Sequence, residues 1–187
     1  MKRLIALLLI VFAVSTFAGD WYSKAERIDL KPQTTSKDTL WYGYPESSTG
    51  WYMREFAERA TYYNVDDFGI EYPIILHAVN AGFVEGDYDF TFKVYAKDGV
   101  TVLWDSGTIT SIDGNNSVGL ATPLILTDNF WLSVVPNGSG YPSQFAPDTG
   151  QTPSHSYLSD GAGGWINQIK NINGNDVYME NYYDVFL

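Results

Sequence analysis

Apolar and polar residues alternate along much of this chain, and the clearest case is the segment from Tyr88 to Val94. Its even-numbered positions are all apolar, whereas its odd-numbered positions are Asp89, Thr91 and Lys93. Alternate side chains of a β-strand point to the same face of the sheet. The segment 88–96 is therefore predicted to be a strand with one buried face.

Other apolar runs of strand length are separated by turn-forming residues. The predicted strands are Ile74–Val79, Thr101–Trp104, Leu120–Leu126, Phe130–Val135, Trp165–Ile172 and Val177–Leu187. The Asp98-Gly99 dipeptide is typical of a hairpin, and the Gly, Asn and Asp residues at 113–116 and 173–176 predict further turns. No segment has a sustained period of 3.6 residues, and the short helical candidate at 53–60 is interpreted as extended.

Strands that recur at this spacing predict a single all-β domain folded as an antiparallel β-sandwich, with a closed barrel as the alternative. The abundance of aromatic and β-branched residues agrees with this prediction, because such side chains fit a pleated, half-buried surface. The predicted core includes Phe92, Val94, Phe130, Leu132 and Val134.

The first eighteen residues have a different pattern from the rest of the chain. Met1-Lys2-Arg3 is basic, Leu4–Val14 is apolar, and small residues precede a cleavage position after Ala18. This layout is typical of a secretory signal peptide, and the apolar run is too short to span a bilayer. We therefore expect a leader at 1–18, a polar arm or edge strand at 19–37, and the β-sandwich domain at 38–187. The expected location is extracellular or at the cell surface, with the periplasm as the alternative.

The chain contains no cysteine and is strongly acidic, with a formal net charge of −11. Loss of Lys2 and Arg3 with the leader would make the charge about −13. Disulfides, cysteine-ligated zinc and thiol catalysis are excluded. An acidic surface disfavours nucleic acid and anionic membranes as partners. An exported chain without cysteine is more typical of bacteria than of small, disulfide-stapled eukaryotic modules.

Candidate catalytic residues are few, and we expect a protein that is not an enzyme and needs no cofactor. His77 lies in an apolar run and is expected to be half-buried. His155 lies between two serines, but neighbours on a strand point to opposite faces and do not form a dyad. The sequence has no nucleophile elbow, phosphate loop or paired-histidine motif. The turns at 113–116 and 173–176 have oxygen ligands suited to calcium, although their spacing is that of ordinary turns.

Aromatic residues crowd the first third of the mature chain. They are Trp21-Tyr22, Trp41-Tyr42, Tyr44, Trp51-Tyr52 and Tyr62-Tyr63. Adjacent aromatic residues on a strand cannot all face one core. Some are therefore expected to point outward, where a flat ring with a polar edge suits a sugar or a protein partner. The predicted ligand-binding residues are Trp41, Tyr42, Tyr44, Trp51 and Tyr52.

The second half of the chain contains a looser pattern. The strand Phe130-Trp131-Leu132-Ser133-Val134 is followed by Pro147-Asp148, Ser154-His155-Ser156-Tyr157, Gly164-Trp165 and a final alternating strand. Over residues 72–187 this order resembles the jelly-roll-like β-sandwich accessory modules of secreted bacterial proteins. The resemblance implies a jelly-roll-like sandwich without catalytic activity.

Two functions remain open at this point. The first is a secreted, non-catalytic module that binds carbohydrate or an extracellular protein partner in adhesion. The second is a self-assembling subunit of an extracellular filament or surface layer, because an extended segment of one copy can complete the sheet of the next. Ile28 and Leu30, which alternate with polar residues in the arm, are the predicted assembly residues of such a homo-oligomer.

Overall fold

The structure is a computed structural model. It describes residues 22–24, 39–42, 50–53, 58–137, 143–147, 155–159, 161–167, 169–172, 175–178 and 180–187. The expected leader, the assembly residues Ile28 and Leu30, and the binding candidate Tyr44 lie outside the described residues. The statements about them remain predictions.

The described residues form sixteen strands and one short 3₁₀ helix, Val65–Phe68. The strands are β1 (Tyr22–Lys24), β2 (Thr39–Leu40), β3 (Gly50–Met53), β4 (Arg59–Tyr63), β5 (Ile74–Glu85), β6 (Asp89–Ala96), β7 (Val102–Asp105), β8 (Ile109–Thr110), β9 (Gly114–Leu126), β10 (Phe130–Pro136), β11 (Ser143–Pro147), β12 (Ser156–Ser159), β13 (Trp165–Asn167), β14 (Ile169–Ile172), β15 (Asn175–Tyr178) and β16 (Tyr183–Phe186).

Most of these strands belong to two sheets. Sheet A has the order β1-β3-β11-β5-β16-β2, and β9 also pairs with β5. Sheet B has the order β13-β12-β4-β10-β6-β7, and β8 also pairs with β6. The strand pairings, including the separate β14–β15 hairpin, are antiparallel. The predicted all-β antiparallel sandwich is confirmed, whereas its jelly-roll connectivity stays a prediction.

The core lies between the two sheets, where each contributes one face of alternating apolar side chains. The five predicted core residues are all fully buried: Phe92, Val94, Phe130, Leu132 and Val134. Phe83 of sheet A meets Phe90 of sheet B edge-on, with ring centroids 4.9 Å apart. The buried hydroxyl of Tyr63 in sheet B donates to the Tyr183 carbonyl in sheet A at 2.7 Å. Both ring packing and hydrogen bonding therefore join the sheets.

Several predicted strand boundaries were wrong. The segment 113–116 was predicted as a turn, but β9 already begins at Gly114. Asn116 forms the local turn with its side chain, which accepts from the Ile112 N–H and donates to the Ile112 carbonyl, both at 2.8 Å. The final predicted pair of strands is divided into β13 to β16, and only β16 enters sheet A. The chain leaves the β14–β15 hairpin through the buried polar residues Glu180 and Asn181, which end the apolar alternation.

Two side chains have a different burial from the one predicted. His77 is exposed and not half-buried, because it points away from the core beside an irregularity in the β5–β9 register. Tyr88 was placed on the buried face of its strand, but it precedes β6 and is 37% exposed. The alternation that buries Phe90 and Phe92 therefore begins only with β6.

Candidate binding site

Among the sequence-predicted binding residues, the structure describes the side chains of Trp41 and Tyr42. Trp41 is half-buried and meets Tyr182 edge-on, with ring centroids 5.6 Å apart. Trp51 and Tyr52 lie in β3, where their backbones pair with both β1 and β11. Tyr42 belongs to a cluster around His155, and the binding platform predicted from these residues stays a prediction.

The Tyr42 ring stacks on the imidazole of His155, with centroids 3.6 Å apart and planes 5° apart. The imidazole lies between two carboxylates. Its Nδ1 is 3.3 Å from Glu180 Oε1, and its Nε2 is 3.7 Å from Asp67 Oδ2. The Tyr42 hydroxyl donates to Asp67 Oδ2 at 2.8 Å. Burial, followed by this hydrogen bond, raises the pKa of Tyr42, so its phenol stays a donor.

Ser156 completes the cluster and is fully buried. Its hydroxyl donates to Glu180 Oε2 at 2.6 Å and accepts from the Asn181 N–H at 2.7 Å. Glu180, which is 1% exposed, also accepts from the His155 N–H at 2.6 Å. A nucleophile must reach its substrate, and this hydroxyl has no exposed surface. The hydrogen bonds of the cluster join residues 155–156 to residues 180–181.

The outer face of sheet B carries a different set of aromatic side chains. Trp131 of β10 lies opposite Tyr62 of β4 on one side and opposite Tyr95 of β6 on the other. Residues that lie directly opposite each other in antiparallel strands share a face. Because Tyr63 and Phe130 point into the core, their neighbours Tyr62 and Trp131 point outward.

Strands β12 and β13 extend this outer face. Tyr157 lies opposite Ala60, and Trp165 lies opposite Ser159. The alternation along β4 and β12 places both aromatic residues on the same side as Tyr62. The four residues are all half-buried, and together they are called the aromatic face: Tyr62, Trp131, Tyr157 and Trp165.

Trp131 is the centre of the aromatic face. Its ring centroid is 4.8 Å from Tyr62, 5.0 Å from Tyr157 and 5.3 Å from Trp165. The Trp165 ring is nearly parallel to it, whereas the Tyr157 ring meets it edge-on. Aromatic pairs of this kind contribute about 0.5–1.5 kcal/mol each beyond the burial of their area. The rings therefore hold one another in position in the absence of a ligand.

Both indole N–H groups of the aromatic face are bound by the turn between β6 and β7. Trp131 Nε1 donates to the Lys97 carbonyl at 3.1 Å, and Trp165 Nε1 donates to the Gly99 carbonyl at 3.0 Å. Gly99 has φ +70°, and a Cβ at this position would lie 2.7 Å from Trp165 Nε1. The turn can approach the indole this closely because residue 99 has no side chain.

A cleft of about 170 Å³ opens beside Trp165 and is lined by the side chains of Glu58 and Tyr95, among others. Glu58 Oε1 accepts two hydrogen bonds of 2.6 Å, one from the Tyr95 hydroxyl and one from Ser133 Oγ. Burial, followed by the hydrogen bond to Glu58, raises the pKa of Tyr95. The Tyr95 phenol therefore remains a hydrogen-bond donor, and Glu58 keeps a fixed orientation in the cleft.

Neither a metal-ligand cluster nor a membrane-spanning helix occurs in the described part of the chain. No group of three His, Cys, Asp or Glu side chains there is arranged to hold a metal ion. None of the described segments forms a helix long and apolar enough to cross a membrane. At the first candidate calcium turn, Asp113 Oδ1 accepts from the Gly86 N–H at 2.6 Å, which is a structural contact.

None of the four residues of the aromatic face was among the predicted ligand-binding residues, although Tyr62 belongs to the aromatic-rich stretch near the amino terminus. Tyr157 and Trp165 have no aromatic neighbour in the sequence, and Trp131 follows Phe130 in a strand far from the aromatic pairs near the amino terminus. The alternation in Phe130–Val135 did contain information about Trp131, because burying Phe130 and Leu132 turns the residue between them outward. The pairing of β4, β10, β12 and β13 that brings the four rings together has no local sequence pattern.

Comparison of the chain with protein-family models, with curated proteins and with solved structures finds no match. The class of protein is therefore defined by its own structure: an antiparallel β-sandwich with an aromatic face on the outside of one sheet. The resemblance to accessory modules of secreted bacterial proteins stays a prediction.

Proposed function

We propose that this protein is a secreted, non-catalytic β-sandwich module that binds carbohydrate on the outer surface of sheet B. The observation that carries the proposal is the aromatic face, in which four half-buried rings lie in contact on one side of a sheet. A sugar ring has an apolar face of C–H groups and a polar edge of hydroxyls. Aromatic side chains with polar edges complement both features.

The rigidity of the aromatic face supports this proposal. Trp131 and Trp165 lie on strands, and their indole N–H groups are bound to backbone carbonyls. A site that is ordered before binding loses less conformational entropy when its ligand arrives. Polar groups at the rim, including the exposed Lys97–Asp128 ion pair, would bind hydroxyl groups at the edge of the sugar.

A glycan fits the aromatic face better than a large protein surface does. A stable protein interface buries about 800 Å² on each partner, whereas the aromatic face consists of four half-buried rings beside a small cleft. Small-ligand sites combine an apolar surface with a few fixed polar groups, and Glu58 supplies such a group beside Trp165.

The proposal is tested by calorimetric titration with a panel of hexasaccharides. The panel contains the hexamers from cellulose, xylan, mannan, starch and chitin, and the hexamer of glucosamine. We expect at least one to bind. Tyr157→Ala and Trp165→Ala should each weaken that binding by about tenfold or more, equivalent to about 1.4 kcal/mol. Trp41→Ala is the matched control, because Trp41 packs on Tyr182 outside the aromatic face, and it should bind like the wild type.

Two results would refute the proposal. The first is failure of the folded wild-type protein to bind any member of the panel, which would contradict carbohydrate binding. Loss of binding in Trp41→Ala with full retention in Tyr157→Ala and Trp165→Ala would place the site in the sequence-predicted cluster instead. Near-ultraviolet circular dichroism of each variant establishes that the fold is intact.

A further inference from the structure

The cleft beside the aromatic face contains a carboxylate with spare hydrogen-bonding capacity. Glu58 is half-buried, and its Oε1 accepts both of the hydrogen bonds that orient the side chain. Its Oε2 accepts none from the described part of the chain. An ionised carboxylate has about four acceptor positions, so Glu58 can accept further hydrogen bonds from a ligand without losing its orienting contacts.

No cation in the described part of the chain neutralises this carboxylate. Lys97, which lies in the turn that lines the cleft, forms its ion pair with Asp128 at 3.1 Å. Lys93 lies beside Ser133 in the register of β6 and β10, but it forms no ion pair with Glu58. A carboxylate in a partly enclosed site favours a cationic partner more strongly than one in open water does.

The walls of the cleft also favour a cation. Tyr95 and Trp165 both line it, and their ring centroids are 6.1 Å apart at an angle of 67°. The faces of aromatic rings are negative and attract ammonium groups within about 6 Å of the centroid. The acidic chain, with a formal net charge of −11, adds a long-range attraction for polycations.

We propose that the Glu58 cleft binds a protonated amino group, so that the ligand of the aromatic face is a glycan with free amines, such as a de-acetylated hexosamine chain. This inference rests on the proposed function. The cleft has room for several water molecules, which suits one small polar group at the edge of a sugar. One sugar would stack on the aromatic face while its amine donates to Glu58 Oε2.

The test compares two probes, the hexamer of glucosamine and the hexamer of N-acetylglucosamine, at a mildly acidic pH that keeps the amines protonated. The wild-type protein should bind the glucosamine hexamer more tightly. Glu58→Gln should weaken that binding by about tenfold and leave the affinity for the acetylated hexamer within about twofold. The glutamine Oε1 can still accept from Tyr95 and Ser133, so we expect the fold to be retained.

The matched control is Asp87→Asn, which removes the same charge from an exposed position beyond the opposite end of β6. It should leave both affinities unchanged. A second variant, Val100→Lys, adds a cation to the exposed lining of the cleft without altering Glu58. It should weaken binding of the glucosamine hexamer and spare the acetylated one.

The outcomes separate this inference from the proposed function. Equal binding of both hexamers by the wild-type protein would overturn the amine preference and leave carbohydrate binding intact. Equal losses in Glu58→Gln and Asp87→Asn would overturn the cleft as the source of the preference. Binding of hexalysine that depends on Glu58, without binding of any hexasaccharide, would overturn both the glycan and the proposed function.

Discussion

At the scale of single residues, position 99 imposes two separate requirements that only glycine meets. Its φ of +70° is a left-handed conformation that costs an alanine about 1–2 kcal/mol. Its Cα lies so close to the aromatic face that an added Cβ would be 2.7 Å from Trp165 Nε1 and 3.4 Å from Trp131 Cε2. The hairpin glycine therefore sets both the turn and the position of the indole rings.

Comparison of Gly99→Ala with Gly107→Ala separates these two requirements. Gly107 has the same φ of +70°, but a Cβ there would meet nothing within 4 Å. We expect Gly99→Ala to lower the free energy of unfolding by at least about 1 kcal/mol more than Gly107→Ala does, because Trp165 must shift. Urea denaturation measures the difference, and near-ultraviolet circular dichroism reports the moved indole. Equal losses with an unchanged spectrum would show that the contact is unimportant.

Single residues also show how far the sequence allowed prediction of the site. The outward orientation of Trp131 follows from the burial of Phe130 and Leu132 on either side of it. Its contact with Trp165 does not follow, because that depends on the order β13-β12-β4-β10 in sheet B. Local alternation predicts which face a side chain occupies, whereas long-range strand pairing decides which residues it meets.

At the scale of strands, a row of polar side chains crosses β16, β5 and β9. Asp184, Asn80 and Ser117 lie opposite one another in the register. Asn80 Nδ2 donates to Asp184 Oδ2 at 2.9 Å, and Ser117 Oγ donates to Asn80 Oδ1 at 2.9 Å. Asp184 is 2% exposed. Burial raises its pKa from 3.8 to about 6, although the hydrogen bond from Asn80 opposes the shift.

This shift predicts a stability that falls as the pH rises. The folded state binds the Asp184 proton more tightly than the unfolded state does. The stabilisation that this proton contributes to the fold is therefore complete below about pH 4 and is lost as the pH rises through about 6. The expected loss is roughly 3 kcal/mol. Asp184→Asn, whose side-chain oxygen can still accept from Asn80, should remove this dependence of stability on pH. Denaturation of both proteins across this pH range measures the difference between them. A constant difference would contradict a raised pKa.

Strand boundaries were less predictable than strand existence. The runs that became β5, β6 and β10 were recognised because apolar residues alternate within them or fill them. The continuation of β9 to Gly114 was not recognised, because its first residues are Gly114, Asn115 and Asn116. Those residues were expected in a turn, but pairing with β5 from Ala78 to Phe83 holds them in an extended conformation. Tertiary pairing overrides weak local propensity at such positions.

At the scale of the whole molecule, the arm at 19–37 contributes to the protein's own sandwich through β1. Residues Tyr22–Lys24 pair antiparallel with β3 at the end of sheet A. This pairing satisfies the exposed edge of β3 within one chain. The backbone of Tyr22–Lys24 is thus paired within its own chain, whereas strand donation through Ile28 and Leu30 stays a prediction.

Deletion of residues 19–37 should therefore lower stability without changing the oligomeric state. The physical reason is that removal of β1 exposes the backbone hydrogen-bonding groups of β3. Thermal denaturation and light scattering of the mature and shortened proteins measure the two effects. Assembly of the mature protein into filaments that the deletion abolishes, with no loss of subunit stability, would instead establish strand donation by the arm.

The most direct test of carbohydrate binding on sheet B uses the indole N–H signals of the protein's six tryptophans. Titration with the hexasaccharide that binds in calorimetry, followed by heteronuclear NMR, reports which indoles meet the ligand. We predict that the signals of Trp131 and Trp165 shift with a common dissociation constant, while those of Trp41 and Trp51 stay in place. Shifts at Trp41 or Trp51, with Trp131 and Trp165 unchanged, would contradict the account.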